Sequence, residues 1–441
     1  MTLHPTAPRM ARGLTLTEVS AGLATTAVLV GLTLPALAKT RNDGLTDVSL
    51  FNLRVLGTAH ATYASDWNDR QPTHVPDDLS DWADSSAQAS QGYGQFFVVN
   101  GNEALPGVNL GWGPLNGNGD FVEFRYRPFN NTANARLMEP IVFDGSTAAT
   151  MQRRGSFLIP NSKQFRTYVA ARFYDRAYYA PSDEVVSPLV EPLFDSAFEY
   201  VDRPPVKGFG DAPYWSSFIM SPAAMLDPAV LQAQVATRGG FKGGWVDPFQ
   251  VAGGFESPTF SSVRYPGLKT LMLEHHWLQN APDRPCNPNV KFGTYMGCEP
   301  YYFNHGIESA PATIFFDGST RLLPNVEAVD ADERIRAMNG GGDGTWSRTT
   351  PFGDDGYWSE LALDGTQVSH HILTADGILG RDTLGPDKNP PDAATPDRRP
   401  SSASRSFLGL GTRAGTTNGQ RTRPSSTADA PALLDNRSQD R

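Results

Sequence analysis

The pattern of apolar and polar positions changes near residue 40 and again near residue 72. Val19–Ala38 contains no charged residue, and this run is about as long as a helix that crosses a bilayer core. Further on, apolar residues recur at spacings of three and four, which is typical of an amphipathic helix. The predicted apolar stripe of this second part consists of Leu45, Val48, Phe51, Val55, Ala59 and Tyr63. The pattern therefore predicts one long N-terminal helix with an apolar first half.

Beyond about residue 73 the helical period gives way to short runs separated by turn residues. Phe121–Arg127 alternates apolar and charged positions, as a half-buried strand does. Thr167–Tyr174 and Leu268–Glu274 predict similar strands, and His370–Leu373 predicts a last one. Asp-Gly and Asn-Gly steps recur between such runs and suit the positive φ angles of hairpin turns. These patterns predict an α+β fold in which the long helix packs on a β-rich antiparallel domain with long loops.

The composition changes again past residue 385, where Pro, Ser, Thr, Arg and Asp dominate. A tract with so few apolar residues buries too little surface to offset the entropy of ordering. We therefore expect residues 385–441 to form a disordered tail.

Charge and cysteine content narrow the class of protein. The chain of 441 residues has a net charge of −10, which argues against nucleic acid as a partner because phosphate binding needs clustered Lys and Arg. The chain contains two cysteines, Cys286 and Cys298, and has no zinc-type spacing. In an exported domain these two could form one local disulfide, and the alternative is a pair of free thiols.

The N-terminal segment from Gly13 to Glu18 resembles the start of type IV pilins and type II secretion pseudopilins. In that family a prepilin peptidase cleaves after a glycine, methylates the new N-terminus and leaves glutamate as the fifth mature residue. Here cleavage would fall between Gly13 and Leu14, and Glu18 would be fifth. Pro35 is the twenty-second residue counted from Leu14, where many pilins carry a helix-bending proline. The stretch from Asn52 to Pro72 is also similar to the end of the long pseudopilin helix.

A carboxylate at the edge of a membrane helix is costly and is a functional candidate by default. The resemblance implies that Glu18 pairs with the N-terminal ammonium of a neighbouring subunit during assembly. The alternative is that Glu18 simply lies at headgroup depth. A second alternative is an ordinary signal peptide, since Ala36-Leu37-Ala38 forms an A-x-A cleavage site.

A second resemblance concerns His305, Asp317 and Gly318. A large pseudopilin-like family carries a His followed about ten residues later by Asp-Gly, and here eleven residues separate His305 from Asp317. We expect this His and Asp to form a structural pair across a hairpin.

Enzyme motifs are absent from the sequence: there is no HExxH, P-loop, GxSxG or zinc-type Cys/His spacing. We therefore expect no catalytic residues and no cofactor. Calcium is the one metal that the acidic loops suggest, because it prefers oxygen ligands. The candidate ligands in the Gly-rich stretch 339–356 are Asp343, Asp354 and Asp355.

Together these features predict a non-enzymatic, pseudopilin-like subunit in the bacterial inner membrane. It would span the membrane once, with the C-terminal domain periplasmic or extracellular. Its expected partners are a prepilin peptidase, the membrane and other pilin-like subunits, in a type II secretion-like or surface-filament system. The alternative is a surface- or carbohydrate-binding β domain exported by a signal peptide. The expected organisation is leader 1–13, transmembrane helix 14–38, helical extension 39–72, β-rich domain 73–384 and tail 385–441.

Overall fold

A computed structural model describes most of the chain between residues 15 and 385. The described residues are 15–75, 77–82, 84–85, 108–115, 120–126, 139–143, 155–183, 186–201, 205–206, 210–211, 216–275, 309–352 and 370–385. The expected tail beyond residue 385 lies outside this set, as do Gly13, Leu14 and both cysteines.

One long helix, α1, runs without a break from Leu16 to Asp66. Its 51 residues correspond to a length of about 77 Å at 1.5 Å per residue. The helix is continuous through Pro35 and through Gly44, the two positions most able to interrupt it. It ends in a turn that contains Asn68 and Asp69, both with positive φ angles.

The face that α1 buries differs from the predicted stripe. Val48 and Phe51, both predicted to be buried, are 45% and 61% exposed. Leu53 and Leu56 are fully buried instead. The complete buried face consists of Ser49, Asn52, Leu53, Leu56, Ala59, His60, Tyr63 and Ala64. The prediction of a helix is confirmed but its orientation is wrong, because two overlapping stripes share Ala59 and Tyr63 and the true one includes polar residues.

Three of the remaining described α-helices are short, namely α2 (Leu79–Trp82), α3 (Lys163–Arg166) and α4 (Val186–Val190). The fourth, α5 (Asn325–Met338), has 14 residues. The described strands are β1 (Val108–Leu115), β2 (Asp120–Tyr126), β3 (Pro205–Val206), β4 (Gly210–Asp211), β5 (Phe218–Met220), β6 (Leu231–Thr237), β7 (Gly240–Trp245), β8 (Thr270–Glu274), β9 (Ala312–Phe315) and β10 (Thr320–Leu322). A helical element combined with antiparallel sheets makes the fold α+β, as expected.

The central sheet has four strands in the order β10-β9-β8-β5, and every pairing is antiparallel. All residues of β5, β8 and β9 are buried. The strand β8 was expected to be half-buried, but it is covered on both faces, and α1 lies against β9 and β8. The other described strands form three separate antiparallel pairs, β1-β2, β3-β4 and β6-β7.

Two strand predictions are wrong. Residues 167–174 form turns, because Ala171 has a left-handed φ of 55° and the carbonyl of Arg166 accepts hydrogen bonds from Ala170 and Ala171. Residues 370–373 also form a turn, and only Thr374 makes a β-bridge, with Trp346. In contrast, the strand predicted at 121–127 is present as β2.

The hairpin between β9 and β10 follows the expected Asp-Gly turn chemistry. Gly318 has a φ of +79°, and Asp317 Oδ1 accepts a hydrogen bond from the Ser319 N–H at 2.8 Å. A left-handed glycine suits a tight turn since it has no Cβ to collide with the backbone.

Candidate assembly helix and its anchoring cluster

The first half of α1 has no packing partner in the described part of the chain. Every described side chain from Leu16 to Thr40 is exposed, and so are residues 41–44. Large apolar side chains are included: Leu16 is 84% exposed and Leu37 is 65% exposed. Most of the stability of a helix in a protein comes from the packing of its apolar face, and this segment makes no such contact with the described residues. This segment is called the free half of α1 below, and residues 45–66 are called the packed half.

The predicted processing and assembly residues lie at the start of the free half. Glu18 and Pro35 belong to the α1 backbone, but their side chains lie outside the described set. Gly13 and Leu14 are also outside it. Among the residues that the structure describes, no helix is both long and apolar enough to cross a membrane.

The packed half is fixed to the domain by specific polar contacts. The Asn52 side-chain amide donates hydrogen bonds to the carbonyl oxygens of Arg176 at 3.2 Å and Tyr179 at 3.3 Å. On the other side, Arg54 Nε donates to Thr320 Oγ1 at 2.9 Å. Gly57 faces the sheet so closely that a Cβ there would collide with Ile314 Cδ1. The missing side chain therefore lets α1 approach β9 closely.

A buried carboxyl group lies where the sheet meets the packed half. Glu274, at the end of β8, is 2% exposed and accepts a hydrogen bond from the Ala312 N–H at 3.0 Å. Burial raises the pKa of Glu274 to about 7, although the hydrogen bonds from Ser49 of α1 and from Ala312 oppose this shift. The nearby Asp183 is also buried and accepts from Ser217 Oγ at 2.6 Å.

The opposite end of β8 carries a fully buried ion pair. Lys269 Nζ lies 3.0 Å from Asp382 Oδ2, and neither side chain is exposed. The same ammonium donates to Ser221 Oγ at 2.9 Å and to Thr374 Oγ1 at 2.7 Å. Burial lowers the pKa of Lys269, and the charge of Asp382 opposes this effect. Such a network fixes the segment 370–385 onto the sheet. Sequence reasoning missed it because its members are up to 113 residues apart.

Three histidines meet beside this network. The ring centroid of His371 lies 5.8 Å from that of His275 and 5.0 Å from that of His370, and all three residues are fully buried. Burial, followed by the charge of Lys269, lowers the pKa of His370 to about 3. These residues form a cluster in the interior of the domain. His305, the histidine of the predicted pair with Asp317, lies outside the described residues.

Two more histidines lie close to the C-terminal part of the packed half: His60 is buried and His74 is partly buried. His60 lies between the rings of Phe165 and Phe260, at centroid distances of 6.0 and 5.3 Å. Burial lowers the pKa of His60 to about 3 and that of His74 to about 4. His74 Nε2 lies 2.9 Å from Ser162 Oγ. Both rings are therefore neutral at physiological pH.

The carboxylate of the candidate calcium ligand Asp343 accepts hydrogen bonds from the backbone. It is fully buried, and its two carboxylate oxygens accept hydrogen bonds from the N–H groups of Gln234 at 2.8 Å and Arg348 at 2.7 Å. Asp354 and Asp355 are outside the described residues. Within the described set, no group of three or more His, Cys, Asp or Glu residues is arranged to hold a metal ion.

The exposed side chain of Trp112 lies next to charged residues. Trp112 in β1 is 40% exposed, and Lys163 Nζ lies 5.3 Å from the centroid of its ring. Lys163 also lies 3.7 Å from Glu199 Oε1, which pairs with the buried Arg166 at 2.7 Å. An exposed indole beside a carboxylate and an ammonium can stack on a sugar ring and hydrogen-bond its hydroxyl groups.

Comparisons with known proteins do not assign the chain to a family: it matches no protein-family model, no curated protein and no solved structure.

Proposed function

We propose that this protein is a non-enzymatic, pilin- or pseudopilin-like subunit that is anchored in the bacterial inner membrane and assembles through α1. The observation that carries the proposal is the division of α1: residues 45–66 pack on the sheet, while every described side chain between Leu16 and Gly44 is exposed. The apolar run Val19–Ala38 falls entirely within the free half.

A free helix with this composition needs a non-aqueous environment. Residues 19–38 would occupy about 30 Å of α1, which matches the thickness of a bilayer core. Arg9 and Arg12 precede this run and favour a cytoplasmic N-terminus. The packed domain would then lie on the periplasmic or extracellular side. The proposed partners are the membrane, a prepilin peptidase and other pilin-like subunits of a type II secretion-like or filament system.

Assembly gives Glu18 its role in this proposal. After cleavage at Gly13, the Leu14 ammonium and the Glu18 carboxylate would be about 6 Å apart along the helix axis. A single copy can solvate both charges near the lipid headgroups. In an assembly, the ammonium of a neighbouring helix meets this carboxylate in a medium of low dielectric, where the attraction is stronger.

The mature N-terminus tests the proposal. Mass spectrometry of the protein purified from membranes should find a chain that begins at an N-methylated Leu14. A Gly13→Val variant should remain uncleaved at this position, because the peptidase of the resembled family requires glycine there. A wild-type chain that begins at Lys39 would overturn the proposal and establish an ordinary signal peptide.

The second candidate function is surface or carbohydrate binding, and the exposed Trp112 with Lys163 and Glu199 favours it. Binding of the purified protein to a glycan array would support it, provided that Trp112→Ala abolishes the signal. Phe241→Ala is the matched control, because Phe241 is also exposed, at 58%, and lies on a different hairpin.

A further inference from the structure

A second exposed tryptophan lies just beyond the C-terminal end of α1. Trp67 directly follows the last helical residue, Asp66, and is 56% exposed. Its ring stacks on the buried Tyr63, with the two centroids 5.7 Å apart and an interplanar angle of 18°. Its Nε1 donates a hydrogen bond to Tyr168 Oη at 3.1 Å. These two contacts hold the indole in one orientation, so that little side-chain entropy is lost when a ligand binds to it.

The short helix α3 links this tryptophan to Trp112. The helix lies against both α1 and β1. Its first residue, Lys163, places its ammonium beside the Trp112 ring, and Tyr168, two residues after its end, contacts Trp67. The two indoles are thus anchored at opposite ends of one short element. The surface formed by Trp67, Tyr168, Lys163, Glu199 and Trp112 is called the aromatic face below.

Polar groups on the aromatic face complement the indoles. Lys163 Nζ and Glu199 Oε1 lie 3.7 Å apart, and their side chains are 37% and 29% exposed, so both reach solvent. The fully buried Arg166, 2.7 Å from Glu199, fixes the carboxylate. A sugar ring offers an apolar C–H face to an indole, and hydroxyl groups at its edge to a carboxylate or an ammonium. The aromatic face supplies both kinds of partner.

Two indoles at separate positions suit a chain of sugars better than a single ring. Once one ring of a chain is stacked, the second stack forms at a high effective concentration, so the chain binds more tightly than either ring alone. The charges favour a neutral chain. Lys163 and Glu199 balance each other, and the net charge of −10 of the whole protein repels a polyanion.

The aromatic face lies far along α1 from the apolar run. Residues 39–66 separate that run from Trp67, which corresponds to about 42 Å of helix. With Val19–Ala38 in the bilayer, as the proposed function has it, Trp67 lies at the end of the helix remote from the membrane. A polymer outside the membrane can reach this position.

We propose that the aromatic face binds a neutral polysaccharide, with Trp67 and Trp112 stacking on different sugar rings of one chain. The inference rests on the second candidate function, carbohydrate binding at Trp112, and extends it. It adds Trp67 as a second subsite, gives Tyr168 the role of positioning that indole, and names the class of ligand.

The dependence of affinity on chain length tests the inference with the full chain in a detergent without a sugar head group. The probes are cellohexaose and chitohexaose, whose equatorial hydroxyl groups leave flat apolar ring faces, and the corresponding disaccharides. Isothermal titration calorimetry should find at least one hexamer that binds roughly ten-fold more tightly than its disaccharide, the equivalent of one further stacking contact. Equal affinity for hexamer and disaccharide would overturn the inference.

Substitutions at Trp67 test the second subsite. Trp67→Ala should reduce the affinity for the hexamer to about that for the disaccharide, because only the Trp112 stack remains. Trp67→Phe keeps an aromatic ring without the Nε1 hydrogen bond and should retain most of the gain, which separates lost stacking from lost folding. Phe241→Ala, which truncates an exposed aromatic on a different hairpin, is the matched control and should change nothing. A gain that persists in Trp67→Ala would overturn the second subsite.

The outcomes separate this inference from the functions on which it rests. Disaccharide binding that depends on Trp112, with no gain for the hexamers, overturns the inference but leaves the second candidate function intact. Failure of all these sugars to bind overturns both, while subunit assembly is measured separately by co-purification of tagged and untagged copies. Tighter binding of a galacturonate hexamer would show a polyanion site and overturn the neutral class. Loss of co-purification in Trp67→Ala, without loss of sugar binding, would make this face a subunit contact instead.

Discussion

The two halves of α1 belong to one uninterrupted helix but lie in opposite environments. In the packed half, Leu53 and Leu56 are fully buried, and Asn52 is hydrogen-bonded to the domain. In the free half, Leu16 and Leu23 are 84% and 68% exposed. The difference indicates that the two halves serve separate purposes. Substitutions in the packed half should change the stability of the domain, whereas single substitutions in the free half should leave that stability unchanged, and the substitution of Glu18 should change assembly.

The largest expected effect on stability is that of pH, and it arises in the packed region. The folded pKa values of His60, His74 and His370 lie near 3 or 4, below the ordinary 6.5, so the stability that these neutral rings confer is present above pH 6.5 and lost as the pH falls. Glu274, with its raised pKa of about 7, acts in the opposite sense: its contribution is present below pH 4.5 and lost as the pH rises through 7.

Between pH 6.5 and 4.5, unfolding therefore takes up about three protons on histidine and releases about one from Glu274. The net uptake of two protons predicts a loss of roughly 4 kcal/mol in the free energy of unfolding over this interval. Urea unfolding of the full chain in detergent, followed by tryptophan fluorescence, measures it. His60→Leu should make the loss smaller, since one titrating group is removed. Equal stability at the two pH values would contradict the account.

Removal of one partner of the buried ion pair should have an effect of similar size. Lys269→Met leaves Asp382 charged and uncompensated in the interior, and we expect a loss of about 3–5 kcal/mol in urea unfolding. The double variant Lys269→Met, Asp382→Leu should recover much of this loss, because it removes both buried charges. A single variant as stable as the wild type would show that the pair does not support the sheet.

Two side-chain truncations compare the buried and the exposed face of the packed half at positions five residues apart. Leu56→Ala should lower the free energy of unfolding by about 3 kcal/mol, because it leaves a cavity against the sheet. Phe51→Ala is the matched control: its side chain is larger but 61% exposed, and the expected change is below about 0.5 kcal/mol. Similar losses for the two variants would contradict the observed orientation of α1.

The smallest expected effect on stability lies in the free half. Leu23→Ala removes a side chain that is 68% exposed, so urea unfolding of the domain should be unchanged within about 0.5 kcal/mol. Retention in the membrane fraction, measured in parallel after a carbonate wash, should remain, since the rest of the apolar run is intact. A marked loss of domain stability would mean that the two halves are not independent.

Local patterns predicted the parts of the fold that depend on near neighbours. The long helix follows from apolar spacing, and the β9-β10 turn follows from Asp317-Gly318. Prediction failed where the structure depends on contacts between residues far apart in the sequence. The buried face of α1 is set by the domain it packs on: the carbonyl groups of Arg176 and Tyr179 accept hydrogen bonds from Asn52, while Phe51 stays exposed. The partnership of Lys269 with Asp382 has no signal in the sequence near either residue.

The candidate site was predictable only in part, for the same reason. The resemblance at Gly13, Leu14 and Glu18 led us to propose α1 as an assembly helix, but it does not indicate which side of the helix remains exposed. The structure shows which side is exposed, because the domain covers the opposite face, which contains Leu53 and Leu56.

Co-purification of tagged and untagged copies tests the central claim most directly. The two copies are co-expressed as wild type and as Glu18→Ala, and the untagged copy retained with the tagged one is quantified in membranes solubilised with mild detergent. The account predicts retention for the wild type and a large reduction for Glu18→Ala, with N-terminal cleavage, membrane insertion and domain stability unchanged. Equal retention in both would contradict the role of Glu18 in assembly, and the protein would then be a membrane-tethered α+β domain.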